Sequence, residues 1–220
     1  RHDFLKKFAI YILSAQPSDI PEILNPFLDN FNVSEGAADL LEEIISSQDG
    51  HALCENFWMI WGLFKPKVIQ LAQSDRLNYR FEKVVKNYLF ALPWWKKDAK
   101  NWNSFRDKDA RFFNEMADKL SNSPSTLYSF AMLLNGIGGR YASQGVAWLA
   151  KIIKIKNESS KSDVDDNTLY YLNAYMRKFM YRERSKVRSS PELMSNTLVI
   201  LDYLIEQGEV SGYLMRESIV

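Results

Sequence analysis

His51, Cys54 and Glu55 stand at i, i+3 and i+4, a spacing that brings three side chains to one side of a helix; imidazole, thiolate and carboxylate are the groups that bind zinc. A zinc site needs further ligands, and His2 is the only other imidazole in the chain. Cys54 also adjoins the apolar run Phe57 to Phe64 (FWMIWGLF), where a free thiol behaves as a small hydrophobe. The trio is read as structural, and no metal is expected.

A phosphate-cradling loop requires glycines opening onto a helix N-terminus, with a lysine that reaches the outer phosphates. The one glycine cluster, Gly136, Gly138 and Gly139, follows an apolar helical pattern, and no GKS or GKT is present. It reads as a turn between helices, so no nucleotide or other cofactor is expected. Nucleophilic catalysis needs a Ser or Cys beside an oriented base, and glycoside chemistry needs two carboxylates across a cleft. No residue set is singled out for either. Glu42-Glu43 suits a solvated helix face, and Asp165-Asp166 a capping loop. The chain is read as non-catalytic.

Binding chemistry is better represented. Leu92 to Arg111 (LPWWKKDAKNWNSFRDKDAR) sets Trp94, Trp95, Trp102 and Phe105 among Lys96, Lys97, Lys100 and Arg106, and tryptophan beside lysine suits both protein hot spots and base stacking. The same tryptophans could equally staple a long connection onto a neighbouring hairpin. Farther along, Arg177, Lys178, Arg182, Arg184, Lys186 and Arg188 put six cations in twelve residues with Glu183 the only acid. At 100° per residue all six fall outside the apolar arc of Leu169, Leu172, Met176, Phe179 and Met180, so they are expected to be exposed. Arg76, Arg80 and Lys83, with Lys86 near the margin, form a second basic stripe opposite Phe81, Val84 and Tyr88. Acids at Glu35, Asp39, Glu42, Glu43, Asp49 and Glu55 show that charge segregates along the chain, so these stripes are also what solvated helix faces look like.

The elements that must position these residues are helices. Phe81, Val84, Val85, Tyr88, Leu89 and Leu92 recur at helical spacing until Pro93. Ser123-Pro124 supplies an N-cap and first-turn proline for a helix carrying Leu127, Phe130, Ala131 and Leu134, which Asn135-Gly136 ends. After the glycine turn, Arg140 to Ile155 carries Tyr141, Trp148, Leu149, Ile152 and Ile153, and the two helices should pack antiparallel. Asp165 or Asp166 caps the next helix, Lys156 to Asp166 (KNESSKSDVDD) is a loop, and Ser190-Pro191 opens a helix that runs to Gln207 before Gly208. Upstream, helices are expected at about 3–14, 20–31, 35–47, 51–64 with a shorter continuation after Pro66, and 105–120. Strand-type alternation bounded by turn residues is missing. Phe130, Leu134, Trp148, Ile152, Met176 and Leu201 are the predicted core.

The chain is therefore expected to be all-α, built as stacked antiparallel helix pairs in an α-solenoid-like array, the alternative being a compact multi-helix bundle. Hairpins begin near Ser34, Leu77, Ser123 and Asp166, steps of roughly 43 to 46 residues, the interval expected of two helices and two turns. In this architecture residues 34 to 207 are similar to HEAT or armadillo-like repeats, a resemblance that implies an extended binding surface instead of a pocket.

Composition fits that reading. Of 220 residues 46% are hydrophobic and 25% charged, an ordinary globular balance. The formal charge of +1 excludes an overall field for nucleic acid or membrane, and one cysteine excludes an internal disulfide. No apolar run approaches the ~20 residues of a bilayer span. Residues 1–220 are expected to form a single helical domain. With Arg1 first and no signal pattern after it, that domain is read as the C-terminal part of a larger cytoplasmic protein, similar to the helical-repeat tails of bacterial multidomain proteins. The expected partner is a protein or another domain of the same chain. The alternative is a nucleic-acid-binding domain that uses the stripes at 76–86 and 177–188 with Trp94, Trp95 and Trp102.

Overall fold

The structure, a computed structural model, describes residues 2–29, 35–46, 55–74, 107–120, 126–137, 141–159 and 165–220, with residues 82, 83, 85 and 139. Among them are ten helices and no strand: α1 (His2–Ser14), α2 (Ile20–Asp29), α3 (Glu35–Ser46), α4 (Glu55–Gln73), α5 (Asp107–Lys119), α6 (Thr126–Ile137), α7 (Ala142–Ser159), α8 (Asp166–Ser189), α9 (Pro191–Glu206) and α10 (Val210–Glu217). The all-α expectation holds. The chain divides into two compact units, residues 1–115 and 116–220.

In the first unit α1 packs chiefly on α3 and α2 on α4. Phe8 and Phe27 join α1 to α2 with ring centroids 5.7 Å apart. The Asn56 amide donates to the carbonyls of Leu13 (2.9 Å) and Ala15 (2.8 Å), holding the start of α4 to the end of α1. Leu40, Leu41, Ile44, Phe57, Ile60, Phe64 and Val68 are fully buried. Trp61 meets the edge of Phe112 on α5 at 5.4 Å. Pro66 does not end the helix as the sequence suggests: α4 runs through it. The hydrogen bond that proline forgoes would go to Gly62, and both residues are exposed, so water can serve that carbonyl while Phe64 and Val68 hold the two halves in the core.

In the second unit the contacts give directions. Leu134 abuts Gly145, and Phe130 stacks edge-on against Trp148 at 6.3 Å, so α6 and α7 are antiparallel, as expected. Tyr128 meets Tyr171 at 5.8 Å, and Lys178 Nζ donates to Asn135 Oδ1 at 3.1 Å, so α6 and α8 run parallel. Both pairs are 43 residues apart, the step read from the sequence as the repeat. With α7 packed on α9 in the same way, first helices stack on first helices and second on second, the layering of a helical repeat. α10 is antiparallel to α9 through Arg216 and Asp202 (2.8 Å), and lies along α8 through Asn173 with Glu209 (2.7 Å) and Arg184 with Ser218 (2.9 Å). Phe130, Leu134, Trp148, Ile152, Met176 and Leu201 are all buried.

Helix ends follow local chemistry. Asp165 caps α8, its carboxylate accepting from the Thr168 backbone N–H at 2.9 Å and from the Thr168 hydroxyl at 2.9 Å. Ser190 accepts from Leu193 N–H at 3.3 Å and Pro191 takes the first turn of α9. Gly208, at φ 84°, ends α9 in a Schellman motif, with Gly208 N–H on Ile205 O and Glu209 N–H on Leu204 O, both 2.9 Å. Two boundaries differ from expectation. α7 continues through 156–159, and α6 continues two residues past Asn135. Ser123, Pro124 and Leu77 lie outside the described residues.

The backbone hydrogen bond to Thr168 is the main reason Asp165 titrates below its ordinary value of 3.8. A depressed folded pKa contributes stability that is present above the unfolded pKa and lost as pH falls through the folded one. Asp165→Ala is expected to cost about 1 kcal/mol near neutral pH. The gap between variant and parent should close as urea titrations are taken below pH 3.8; a gap independent of pH would show that the carboxylate charge is irrelevant to the cap.

Candidate interaction surface

α8 is the longest helix among those described, and its sequence gives it two unlike faces. Thr168, Leu172, Tyr175, Met176, Phe179, Met180 and Val187 are buried. All six predicted cations, Arg177, Lys178, Arg182, Arg184, Lys186 and Arg188, are exposed. Lys186 and Arg188 fall in its last turn, where they face the negative end of the helix dipole.

The cations split into two stripes, and each reaches toward a neighbouring helix end. Arg184 Nε and an Arg188 guanidinium nitrogen both donate to Ser218 O, at 2.9 and 2.7 Å, just past the end of α10. On the other side Lys178 donates to Asn135 near the end of α6, and the Arg182 guanidinium lies against Gly139 so closely that an added methyl there would sit 2.8 Å from it. Since α6 and α10 both run parallel to α8, their electronegative ends lie beside its basic half. Part of the charge that the sequence offered to a partner thus caps its own neighbours, although every one of the six side chains stays solvent-exposed.

Lys83 is ion-paired with Glu42 at 2.6 Å within the first unit. Arg76, Arg80, Trp94, Trp95, Lys96, Lys97 and Trp102 lie outside the described residues, as do His51 and Cys54. No group of three or more His, Cys, Asp or Glu side chains among the described residues is placed to hold a metal, and no described helix is long and apolar enough to cross a membrane.

Sequence reasoning passed over the aromatic and apolar part of this surface. Tyr170 and Tyr181 are 67% and 91% exposed on α8, and Val210, Tyr213 and Leu214 are exposed on α10, a helix not anticipated at all. α10 is seated through Gly212, where an added methyl would lie 2.9 Å from Leu204 Cβ and 3.1 Å from the Leu201 carbonyl. A bare glycine is what lets the two helix axes approach so closely.

The Tyr203 hydroxyl on α9 is buried with no hydrogen-bond partner among the described residues. Burial, with Glu206 nearby, pushes it up to about 12, so it stays a neutral phenol at physiological pH. An orphaned buried hydroxyl costs about 1–3 kcal/mol. Tyr203→Phe is therefore expected to leave the urea midpoint unchanged or raise it, and a clear loss of stability would reveal a partner for that oxygen.

Comparison of the sequence with models of known protein families and with characterised proteins gives no match.

Proposed function

We propose that the chain is a non-catalytic interaction or scaffold module of a larger cytoplasmic protein, working as HEAT or armadillo-like arrays do through a stacked-helix face. The observation that carries this reading is α8, whose inner face is closed while its outer face presents Tyr170, Tyr181 and six cations to solvent. Tyrosine and arginine are the residues that dominate protein interfaces. A partner protein or another domain of the parent chain, as in bacterial multidomain proteins, is the natural counterpart.

Nucleic acid is the second reading, supported by the exposure of all six cations. Against it, the two basic stripes lie on different flanks of α8, one reaching toward Asn135 of α6 and the other toward Ser218 past α10, so the charge is not gathered into one field. The experiment is a titration of labelled single- and double-stranded oligonucleotides against rising salt. Weak, sequence-independent binding or none is expected. Tight binding at physiological ionic strength that falls steeply with salt, and is lost in Arg177→Glu/Arg184→Glu/Arg188→Glu with the fold intact, would replace the scaffold reading with the nucleic-acid one.

A further inference from the structure

Tyr170, Ala174, Arg177, Tyr181, Arg184 and Arg188 follow one another along α8 at intervals of 4, 3, 4, 3 and 4 residues. These steps average 3.6 residues, so the six form one straight stripe along the helix, a seam long and narrow enough for a second helix to lie against it. At 100° per residue the six occupy about 80° of arc, and over eighteen residues the seam is about 27 Å long. Five of the six are exposed and Ala174 is half-buried, a small residue between two projecting tyrosines. The buried residues of α8 lie on its other side.

The charge on the seam is of one sign. Arg184 and Arg188 share a single acceptor, Ser218 O, which fixes the two guanidinium groups as neighbours. Each spends one donor there and keeps four, and a guanidinium already held in place loses little entropy when a carboxylate arrives. Beside the seam, Val210 and Leu214 of α10 are exposed and apolar. Tyrosine and arginine are the residues that dominate protein interfaces, and a straight stripe of them about 27 Å long with an apolar margin matches the length and amphipathic character of one helix.

Resting on the scaffold reading above, we propose that this seam takes an acidic amphipathic helix of a partner protein, its carboxylates on Arg177, Arg184 and Arg188 and its apolar edge on Tyr181 and the α10 margin. The probe is a labelled three-heptad peptide with leucine at the seam positions and glutamate beside them, titrated by fluorescence anisotropy into the full chain. A lysine counterpart and a short single-stranded oligonucleotide are run alongside. The glutamate peptide is expected to bind and the lysine peptide not to. Arg177→Glu/Tyr181→Ala, which leaves both hydrogen bonds to Ser218 intact, should weaken the complex at least about tenfold. Lys178→Glu/Arg182→Glu on the opposite flank reverses two charges and should change it less than about threefold.

Equal losses from the two variants would reduce the effect to net charge and overturn the seam. Absence of glutamate-peptide binding up to about millimolar concentration would also overturn it, leaving the scaffold reading in place. Tight, salt-steep oligonucleotide binding would remove both together.

Discussion

Leu134→Ala is expected to lower the free energy of unfolding by about 2–5 kcal/mol, read as a lower urea midpoint at unchanged slope. Leu134 is 1% exposed and lies where α6, α7 and α8 come together. Its methyl groups face Gly145 of α7, which also meets the Tyr175 hydroxyl of α8, and that hydroxyl donates to Ala142 O at 3.3 Å. Tyr175 is anchored by that bond and is 3% exposed, and burial, with the charge of Glu183, pushes its pKa upward, so it remains a neutral donor. A site bordered by an anchored ring and a helix backbone collapses poorly, which places the loss toward the upper end of the range. A change below about half a kcal/mol would put Leu134 on the surface.

Gly145→Ala should cost about 1–3 kcal/mol although it improves helix propensity, because the new methyl would lie 2.7 Å from Leu134 Cδ2 and 2.7 Å from the Tyr175 hydroxyl. Combined with Leu134→Ala, half of that collision disappears and the methyl occupies part of the cavity. The double variant is expected to be more stable than the sum of the single losses implies, by about 0.5–3 kcal/mol. Additive losses would mean that α6 and α7 do not touch at this point. Stabilisation by Gly145→Ala alone would mean the helices are farther apart than described.

How much of this was legible in the sequence depends on where each signal resides. Asp165, Ser190-Pro191 and Gly208 were readable as helix ends because capping is decided within four residues of chain. The core positions were readable because burial imposes the helical period on α6, α7, α8 and α9 alike. The run of α4 through Pro66 was not, since what carries the helix past a proline is packing by Phe64 and Val68, supplied by residues remote in sequence. α10 was missed for a related reason. Gly212 looks like a breaker in isolation and is required only once α9 is there to approach it.

The candidate surface divides along the same line. The six cations of α8 were recognisable from charge and wheel position, and the structure exposes all of them. That Arg184 and Arg188 converge on Ser218, and that Lys178 reaches Asn135, depends on helices lying side by side, which periodicity cannot show. The tyrosines were hidden because an apolar count assigns Tyr170 and Tyr181 to no face. Only the seven-residue spacing they share with the arginines sets them apart.

The recurring 43-residue separation between α6 and α8 also sets how the second unit reaches its native state. The side-chain contacts that tie α6, α8 and α10 together join residues 43 or fewer positions apart. Loop-closure entropy grows only with the logarithm of length, so each layer faces nearly the same entropic barrier as the one before it. With each of these contacts closing a span of similar length, assembly resembles the closing of a zipper, each layer docking on the one before it. During synthesis, α8 can dock on α6 as soon as it emerges from the ribosome, and α10 on α8 soon after.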